Sequence, residues 1–429
     1  MGNNAKIAYA VALALGGVAA AQAQPTVAQC KSPNNVLYVA GSSAAQGGFG
    51  NALVTDAFGG SALTFSASNG NFKAYCGISA NASVAPTGNV VVVHYRAEGG
   101  SVVGALPIVS GKGIKFLDLT NSAVTSTSVT TTGTSGTVGT TDGWGGPLTQ
   151  HTVEVGVTDV EPGQFVGKNY PSNYSVGVFG SASPAQLAGV TKTVLFDQVF
   201  GLFVNTSGFN GGGTGQAVTL GKSAVANILN GLYTDWSQVP NSTNPAAPSV
   251  VSSTAAPISL INREAGSGTR TGASVYFLDY NCSQTSSAIG EDSSFGDGYQ
   301  TADVLTTAET VPGAITYASI DNAGKPNLTT VSLNGVAPSN FAPVSGQYDW
   351  WYEAQLIKGS INSTGTSIYN FLTTELSNVN TAPHQSDILA VPTALVIGNP
   401  TANNHEPGPV IYTNPYTRNS NSCSYPKLD

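Results

Sequence analysis

The 429-residue sequence predicts an α/β fold, because two kinds of segment alternate along the chain. Residues 36–40, 90–95 and 199–204 are short apolar runs with the composition of buried strands. Residues 220–231 have apolar positions at helical spacing, and residues 269–280 are a second predicted helix. Strands that alternate with helices through most of a chain indicate an α/β architecture.

Residues 1–23 are predicted to be an export signal that is cleaved. Lys6 precedes an apolar run over residues 7–21, and Ala21-Gln22-Ala23 has the small-x-small pattern of a cleavage site. The run is too short and too rich in Ala and Gly for a membrane span, although an uncleaved anchor is the alternative. We therefore expect the mature chain to be periplasmic or extracellular.

Charged side chains are sparse, with 15 Lys and Arg against 23 Asp and Glu and a net charge of −8. Nucleic-acid binding requires clustered Lys and Arg, so the composition argues against that partner. The chain has no Cys-x-x-Cys spacing, and its four histidines are isolated from one another. We therefore expect no metal site and no cofactor, and we expect each histidine to lie on the surface or in a loop.

Four cysteines follow the predicted signal: Cys30, Cys76, Cys282 and Cys423. An even number of cysteines in an oxidising compartment favours two disulfides. Of the three pairings that four cysteines allow, we favour Cys30–Cys76 with Cys282–Cys423, because the first of these loops is short.

Residues 119–146 differ in composition from the rest of the chain. They are dominated by Thr, Ser and Gly, with almost no large apolar residue between Val129 and Trp144. This composition predicts an insertion that forms either a long exposed loop or a small hairpin at the edge of a sheet.

The segment with the clearest chemistry is residues 263–271, Arg-Glu-Ala-Gly-Ser-Gly-Thr-Arg-Thr, between a predicted strand and a predicted helix. Gly266 and Gly268 permit a tight backbone path and the close approach of a ligand. A helix that starts here offers free backbone N–H groups and the positive end of its dipole.

Side chains of this segment add further donors. Ser267 and Thr269 supply hydroxyl groups, and Arg263 supplies a planar fork that matches two oxygens of a tetrahedral anion. The segment therefore predicts an oxyanion site, with an ordinary Gly-Ser turn that caps a helix as the alternative.

In this setting Arg-x-x-x-Ser-Gly-Thr resembles the anion-binding segment of the periplasmic phosphate-binding proteins of ABC transporters, including their secreted DING-type relatives. Other stretches resemble family motifs in the family's order. They are Gly41-Ser42-Ser43-Ala44, Gly99-Gly100-Ser101, Gly156-Val157-Thr158-Asp159, residues 228–236 and residues 311–317.

The resemblance implies two α/β lobes of the type II binding-protein fold, joined by two crossing hinge strands, with the anion between them. Residues 24–170 and 318–429 would form lobe I, and residues 171–317 would form lobe II. The phosphate-binding residues that it implies are Ser43, Ala44, Ser101, Asp159, Arg263, Ser267, Gly268 and Thr269. Ala44 replaces a phenylalanine that offers its backbone amide in the family, so that contact can persist.

The function implied is binding of inorganic phosphate without catalysis, by a monomer that delivers it to an ABC permease. Arsenate fits the same geometry. Asp159 would accept the proton that phosphate keeps at neutral pH and sulfate lacks, although a turn or helix-cap role is the alternative. Two other functions stay open: a surface or extracellular protein on the same fold without transport, and a phosphatase-like hydrolase.

Overall fold

The structure is a computed structural model that describes residues 23–68, 70–133, 142–171, 173–211, 215–242, 249–282, 300–361, 363–375, 388–389 and 414–428. Residues 1–22 of the predicted export signal lie outside these residues. Within the described ranges, no helix has the length and apolar character needed to cross a membrane.

Twenty strands occur in the described residues, many of them only two residues long. They are β1 Asn35–Gly41, β2 Ala62–Ala67, β3 Phe72–Ile78, β4 Val90–Arg96, β5 Ile114–Leu117, β6 Ser128–Val129, β7 Leu148–His151, β8 Val155–Thr158, β9 Lys192–Val204, β10 Thr219–Leu220, β11 Pro240–Asn241, β12 Ser249–Val250, β13 Ser259–Leu260, β14 Ala314–Ser319, β15 Thr329–Thr330, β16 Ser332–Leu333, β17 Trp351–Lys358, β18 Ile388–Leu389, β19 Tyr416–Thr417 and β20 Lys427–Leu428.

Ten α-helices accompany these strands in the described part of the chain. They are α1 Val27–Cys30, α2 Gln46–Ala52, α3 Leu106–Ser110, α4 Asn173–Phe179, α5 Pro184–Ala188, α6 Lys222–Leu229, α7 Gly268–Leu278, α8 Thr301–Thr310, α9 Phe341–Val344 and α10 Ser363–Glu375. A π-helical turn, Leu53–Ala57, continues α2, and six 3₁₀ turns lie at Ser101–Gly104, Pro162–Gln164, Gly167–Asn169, Phe209–Gly211, Trp236–Gln238 and Ile320–Asn322.

One mixed sheet runs through the molecule in the order β13-β14-β9-β17-β8-β1-β4-β3-β2-β6. β1 is parallel to both β4 and β8, whereas β9 is antiparallel to both β14 and β17. Every residue of β4 is buried, as expected for a strand whose two faces are both covered. The predicted α/β class is confirmed.

The long strand β9 connects the two halves of this sheet. Its residues 192–199 pair with β17, and its residues 200–204 pair with β14. β17 in turn pairs with β8, so β9 and β17 together have the positions of two crossing strands in a two-lobed fold. The pairing of β16 with β10 places residues 332–333 beside residues 219–220. The lobe boundaries themselves stay a prediction.

Both predicted disulfides are confirmed. Cys30–Cys76 joins α1 to β3. Cys282–Cys423 joins the residues after α7 to the C-terminal segment 414–428. The helix that starts at the predicted anion segment is therefore covalently tied to the end of the chain.

The insertion over residues 119–146 is an addition to the sheet edge where the structure describes it; residues 134–141 lie outside the described residues. β6 pairs with β2, and Thr132 forms an antiparallel bridge with Gly145. Trp144 is buried, and its indole N–H donates to the Glu98 carboxylate at 2.9 Å. The hairpin alternative therefore fits the described residues better than a fully exposed loop.

The expectation that each histidine lies on the surface or in a loop is wrong for His94. His94 is buried in β4, and its ring stacks on Tyr38 with 4.9 Å between ring centroids. Burial lowers the pKa of His94 to about 3. A polar residue inside a β-branched run is buried with the run when both faces of the strand are covered.

Candidate functional site

The candidate site begins where three neighbouring strands end. β8, β1 and β4 are adjacent and parallel, so their carboxyl ends lie on the same edge of the sheet. Ligand sites in open α/β sheets form at this edge. We call the segments that follow these strands, residues 41–45, 97–101 and 158–160, the first wall.

Asp159 is the centre of the first wall and is only 2% exposed. The Ser101 hydroxyl donates to its Oδ2 at 3.0 Å, and the Ser42 hydroxyl donates to its Oδ1. The backbone N–H of Asp159 donates back to Ser101 Oγ at 3.2 Å. Burial raises the pKa of the Asp159 carboxyl, and the two serine hydroxyls and the charge of Arg263 oppose that rise. The carboxylate is thus fixed in direction, inside the protein and near a cation.

Ser42 is itself held from two sides. Its hydroxyl accepts from the backbone N–H of Ala45 at 3.0 Å, and its carbonyl accepts from the Tyr95 hydroxyl at 2.6 Å. Because Ser42 is fixed in this way, its hydroxyl is well placed to orient the Asp159 carboxylate.

The second wall consists of residues 263–269 together with the first turn of α8. Ser267 is the N-cap of α7, and its hydroxyl accepts from the backbone N–H of Arg270 at 3.3 Å. All residues of α7 are buried, so the start of this helix is rigidly placed. Gly268 and Thr269 are the first two residues of the helix, where backbone N–H groups have no partner within the helix.

The two walls pack backbone against backbone. The Val102 N–H donates to the Gly266 carbonyl at 2.9 Å. A Cβ atom on Gly100, which has φ 72°, would lie 2.8 Å from Ser267 Cα. A Cβ atom on Gly268 would lie 2.7 Å from Asp159 Oδ2. Only glycine fits at both positions, and the start of α7 is therefore adjacent to the Asp159 carboxylate.

Arg263 places a buried cation in the second wall, with its side chain 1% exposed. Burial lowers the pKa of its guanidinium, and the nearby carboxylates of Glu264, Asp303 and Asp159 oppose that effect. Its Nη1 donates to Thr301 Oγ1 at 3.2 Å. The site therefore holds a positive charge that water does not screen.

The backbone of Arg263 is fixed on both sides of its Cα. Its N–H donates to Asn262 Oδ1 at 3.0 Å, and its carbonyl accepts from Arg270 Nη1 at 2.8 Å. Arg270 is buried on α7, so this hydrogen bond joins the backbone of Arg263 to the helix.

Ser43 lies apart from the Asp159 carboxylate. Its hydroxyl is 3.1 Å from Thr301 Oγ1, across the gap between the two walls. Ala44 is buried directly after it, and Thr269 is buried directly after Gly268. The eight residues predicted from the resemblance thus all lie on the two facing walls.

Three residues of the site were absent from the prediction: Ser42, Arg270 and Thr301. Ser42 belongs to a Gly-Ser-Ser turn, whose sequence does not tell which serine points to the aspartate. Arg270 lies inside the predicted helix, where the sequence gives no sign of a role for it. Thr301 follows Gln300 at the start of α8, where a capping box with Asp303 is the available signal.

Among the residues that the structure describes, no group of three or more His, Cys, Asp or Glu side chains could hold a metal ion. What the walls offer is a buried guanidinium, serine and threonine hydroxyls, a helix start and two buried carboxylates, those of Asp159 and Glu264. Such a set matches a small oxyanion that carries a proton.

No curated protein matches the chain. The structure is similar to a phosphate ABC transporter substrate-binding protein from Clostridium perfringens over 82% of this chain and 99% of that one, with 13% identity and a TM-score of 0.47. A phosphate-binding protein from Stenotrophomonas maltophilia is similar over 80% of this chain and 84% of that one, with 12% identity and a TM-score of 0.43. The high-affinity periplasmic phosphate-binding protein PfluDING is similar over 80% of this chain and 86% of that one, with 12% identity and a TM-score of 0.44.

The match of the sequence to a family model decides the family. The model describes a PBP superfamily domain and matches residues 193–407, which is half of the chain. The matched range contains all of β9 except its first residue, together with β17 and the whole arginine segment. The chain therefore belongs to the PBP superfamily.

Proposed function

We propose that this protein binds inorganic phosphate between the two walls and does not catalyse a reaction. The observation that carries the proposal is the buried Asp159 carboxylate, which lies next to the glycine start of α7 and within electrostatic range of Arg263. A tetrahedral oxyanion in this position meets donors on most sides and one acceptor.

The donors come from three kinds of group. The start of α7 supplies backbone N–H groups, Arg263 supplies a guanidinium fork, and Ser43 and Thr269 supply hydroxyls. Backbone amides at a helix start and an arginine fork are the groups that proteins use for phosphate oxygens. Because the cation is buried, its attraction for an anion is much less screened than at the surface.

The acceptor supplies selectivity. Each oxygen of Asp159 accepts one serine hydroxyl, and a carboxylate oxygen has a further lone pair for a ligand proton. Phosphate at neutral pH keeps a proton to donate, whereas sulfate would place an oxygen charge against the carboxylate. We therefore propose that the site prefers phosphate to sulfate, and that arsenate, with the same geometry and a proton, also binds.

The two walls would belong to different lobes. We propose that Ser43, Ala44, Ser101 and Asp159 lie in lobe I, formed by residues 24–170 and 318–429, and that the arginine segment lies in lobe II, residues 171–317. The lobes would open and close about β9 and β17, as in other hinge proteins. In this account the mature protein is a periplasmic or extracellular monomer that delivers phosphate to an ABC permease.

Binding without turnover is favoured because two serine hydroxyls of the first wall are already engaged in hydrogen bonds. The hydroxyls of Ser42 and Ser101 both donate to Asp159, so neither is arranged as a nucleophile beside a histidine base. Purified protein should therefore not hydrolyse p-nitrophenyl phosphate. Phosphatase activity that co-purifies with the protein would contradict this part of the proposal.

Titration calorimetry tests the proposal on protein that has been unfolded, washed free of phosphate and refolded. Wild type should bind phosphate, and Arg263→Ala should weaken binding by about thirtyfold or more, because a buried charge partner is worth about 2 kcal/mol or more. Lys168→Ala is the matched control: it removes an exposed cation beside Asn169, whose carbonyl accepts from Gly266 N–H. Absence of binding heat in wild type would refute the function.

A further inference from the structure

Thr301 joins the two walls through a side chain, outside every stretch that resembles the phosphate-binding family. It is the first residue of α8 and is 7% exposed. Its Oγ1 lies 3.2 Å from Arg263 Nη1 and 3.1 Å from Ser43 Oγ. Ser43 is separated from Thr301 by 258 residues, so this contact depends on how the two walls come together.

The chemistry of the three groups fixes most of the proton positions. A guanidinium only donates, so Thr301 Oγ1 accepts from Arg263. Between Thr301 and Ser43, either hydroxyl can donate to the other, because Oγ1 of Thr301 has a second lone pair. In both arrangements one hydroxyl proton is left over, and it can be donated to a ligand oxygen.

The hydrogen-bonded chain of Arg263, Thr301 and Ser43 also changes how strongly its last hydroxyl donates. Hydrogen bonds in a chain polarise one another, and this chain begins at a buried cation. The remaining hydroxyl proton is therefore a stronger donor to an anion than that of an isolated serine. When the walls separate, the link between Thr301 and Ser43 must break.

We propose that Thr301 is a positioning residue of the anion site, which links Arg263 to Ser43 across the two walls and slows the release of phosphate. This inference rests on the proposed function. It adds to that function a residue on α8, beyond the arginine segment, that controls how long the anion stays bound. Differences of this sort between related complexes usually lie in the dissociation rate.

The test compares Thr301→Val, which keeps the shape and removes the hydroxyl, with Thr301→Ser, which keeps the hydroxyl. Phosphate dissociation is measured by stopped-flow mixing with an excess of a phosphate trap. Thr301→Val should release phosphate about tenfold faster or more, because it removes a hydrogen bond to a charged group. Thr301→Ser should stay within about threefold of wild type, as should Thr306→Val, an exposed control on the same helix.

A double-mutant cycle with Ser43→Ala separates a linking role from a merely structural one. If Thr301 acts through Ser43, Thr301→Val should have a clearly smaller effect when residue 43 is already alanine. Additive effects, or wild-type release by Thr301→Val, would overturn the inference while leaving phosphate binding in place. If wild type binds no phosphate at all, the proposed function fails first and the inference fails with it.

Discussion

Gly268 and Ser101 lie so close together that a Cβ atom on residue 268 would stand 2.2 Å from the Ser101 Oγ atom. Real Cβ atoms do not approach oxygen so closely, so a side chain here would force the walls apart. Ser101 cannot easily move, because its hydroxyl both donates to the Asp159 carboxylate and accepts from the Asp159 N–H. The contact therefore ties the start of α7 to the position of the carboxylate.

Gly268→Ala should consequently weaken phosphate binding by about tenfold or more, since crowding a packed contact costs about 1–3 kcal/mol. Calorimetry checks the affinity, and thermal unfolding checks that the variant folds. Gly189→Ala is the matched control, because residue 189 has an ordinary φ of −82° and its added Cβ would lie no closer than 3.3 Å to any neighbour. Unchanged affinity in a folded Gly268→Ala protein would contradict the close packing of the walls.

A second prediction concerns Asp197 on the crossing strand β9. It is buried and pairs in register with Glu353 of β17, and its Oδ2 accepts from Asn414 Nδ2 at 2.7 Å. Burial, with Glu353 adding to it, raises the pKa of Asp197 well above its usual value. Because the folded protein favours the protonated form of Asp197, the folded protein is fully stabilised below the pKa that this carboxyl has in the unfolded chain. That stability is lost as the pH rises through the higher pKa of the folded state.

Asp197→Asn should therefore raise the melting temperature relative to wild type at pH 8, with a gap that narrows towards pH 4. The Asp235→Asn variant supplies a control of opposite sign. Hydrogen bonds from the Ser237 hydroxyl and N–H and from the Ala256 N–H lower the pKa of Asp235. The stability that the ionised Asp235 carboxylate contributes is present above its pKa in the unfolded chain and is lost as the pH falls through its lower pKa in the folded state. Asp235→Asn should therefore lower the melting temperature at pH 8 by more than at pH 4. Melting curves from pH 4 to pH 8 decide the matter, and a gap for Asp197→Asn that widens towards acid pH would be evidence against a raised pKa.

A third prediction compares the two disulfides. Cys282–Cys423 spans 141 residues of sequence and Cys30–Cys76 spans 46. In the chain-entropy model the longer loop stabilises the protein more, by about 1 kcal/mol between these two. Urea unfolding of the two double alanine variants measures this difference. A larger loss of unfolding free energy in Cys30→Ala/Cys76→Ala would mean that native contacts, and not loop entropy, set the order.

Much of the fold and part of the site could be predicted from the sequence because they depend on local patterns. The apolar runs predict the strands, and the Gly-Ser-Gly segment predicts the start of the helix, with Arg263 just before it. Asp159 is predicted only through the resemblance of residues 156–159 to a family motif. Cysteine number and the expected oxidising compartment predict two disulfides, and the short first loop selects their pairing.

The remainder depends on contacts between distant residues. Ser42 and Ser43 are adjacent and chemically identical, and only tertiary packing sends Ser42 to Asp159 and Ser43 to Thr301. Thr301 enters the site because α8 begins beside Arg263, which no periodicity in the sequence encodes. His94 was misplaced because an isolated histidine carries no signal of burial, although the strand around it does.

The central claim is that Asp159 makes the site select an anion that carries a proton. The most direct test is calorimetric titration of wild type and Asp159→Asn with phosphate and with sulfate at neutral pH. Wild type should prefer phosphate by about 10⁴-fold, the scale reached when a site is built around one buried hydrogen bond. Asp159→Asn should lose most of that preference, because an amide tolerates a sulfate oxygen. Equal binding of the two anions by wild type, or an unchanged preference in Asp159→Asn, would contradict the account.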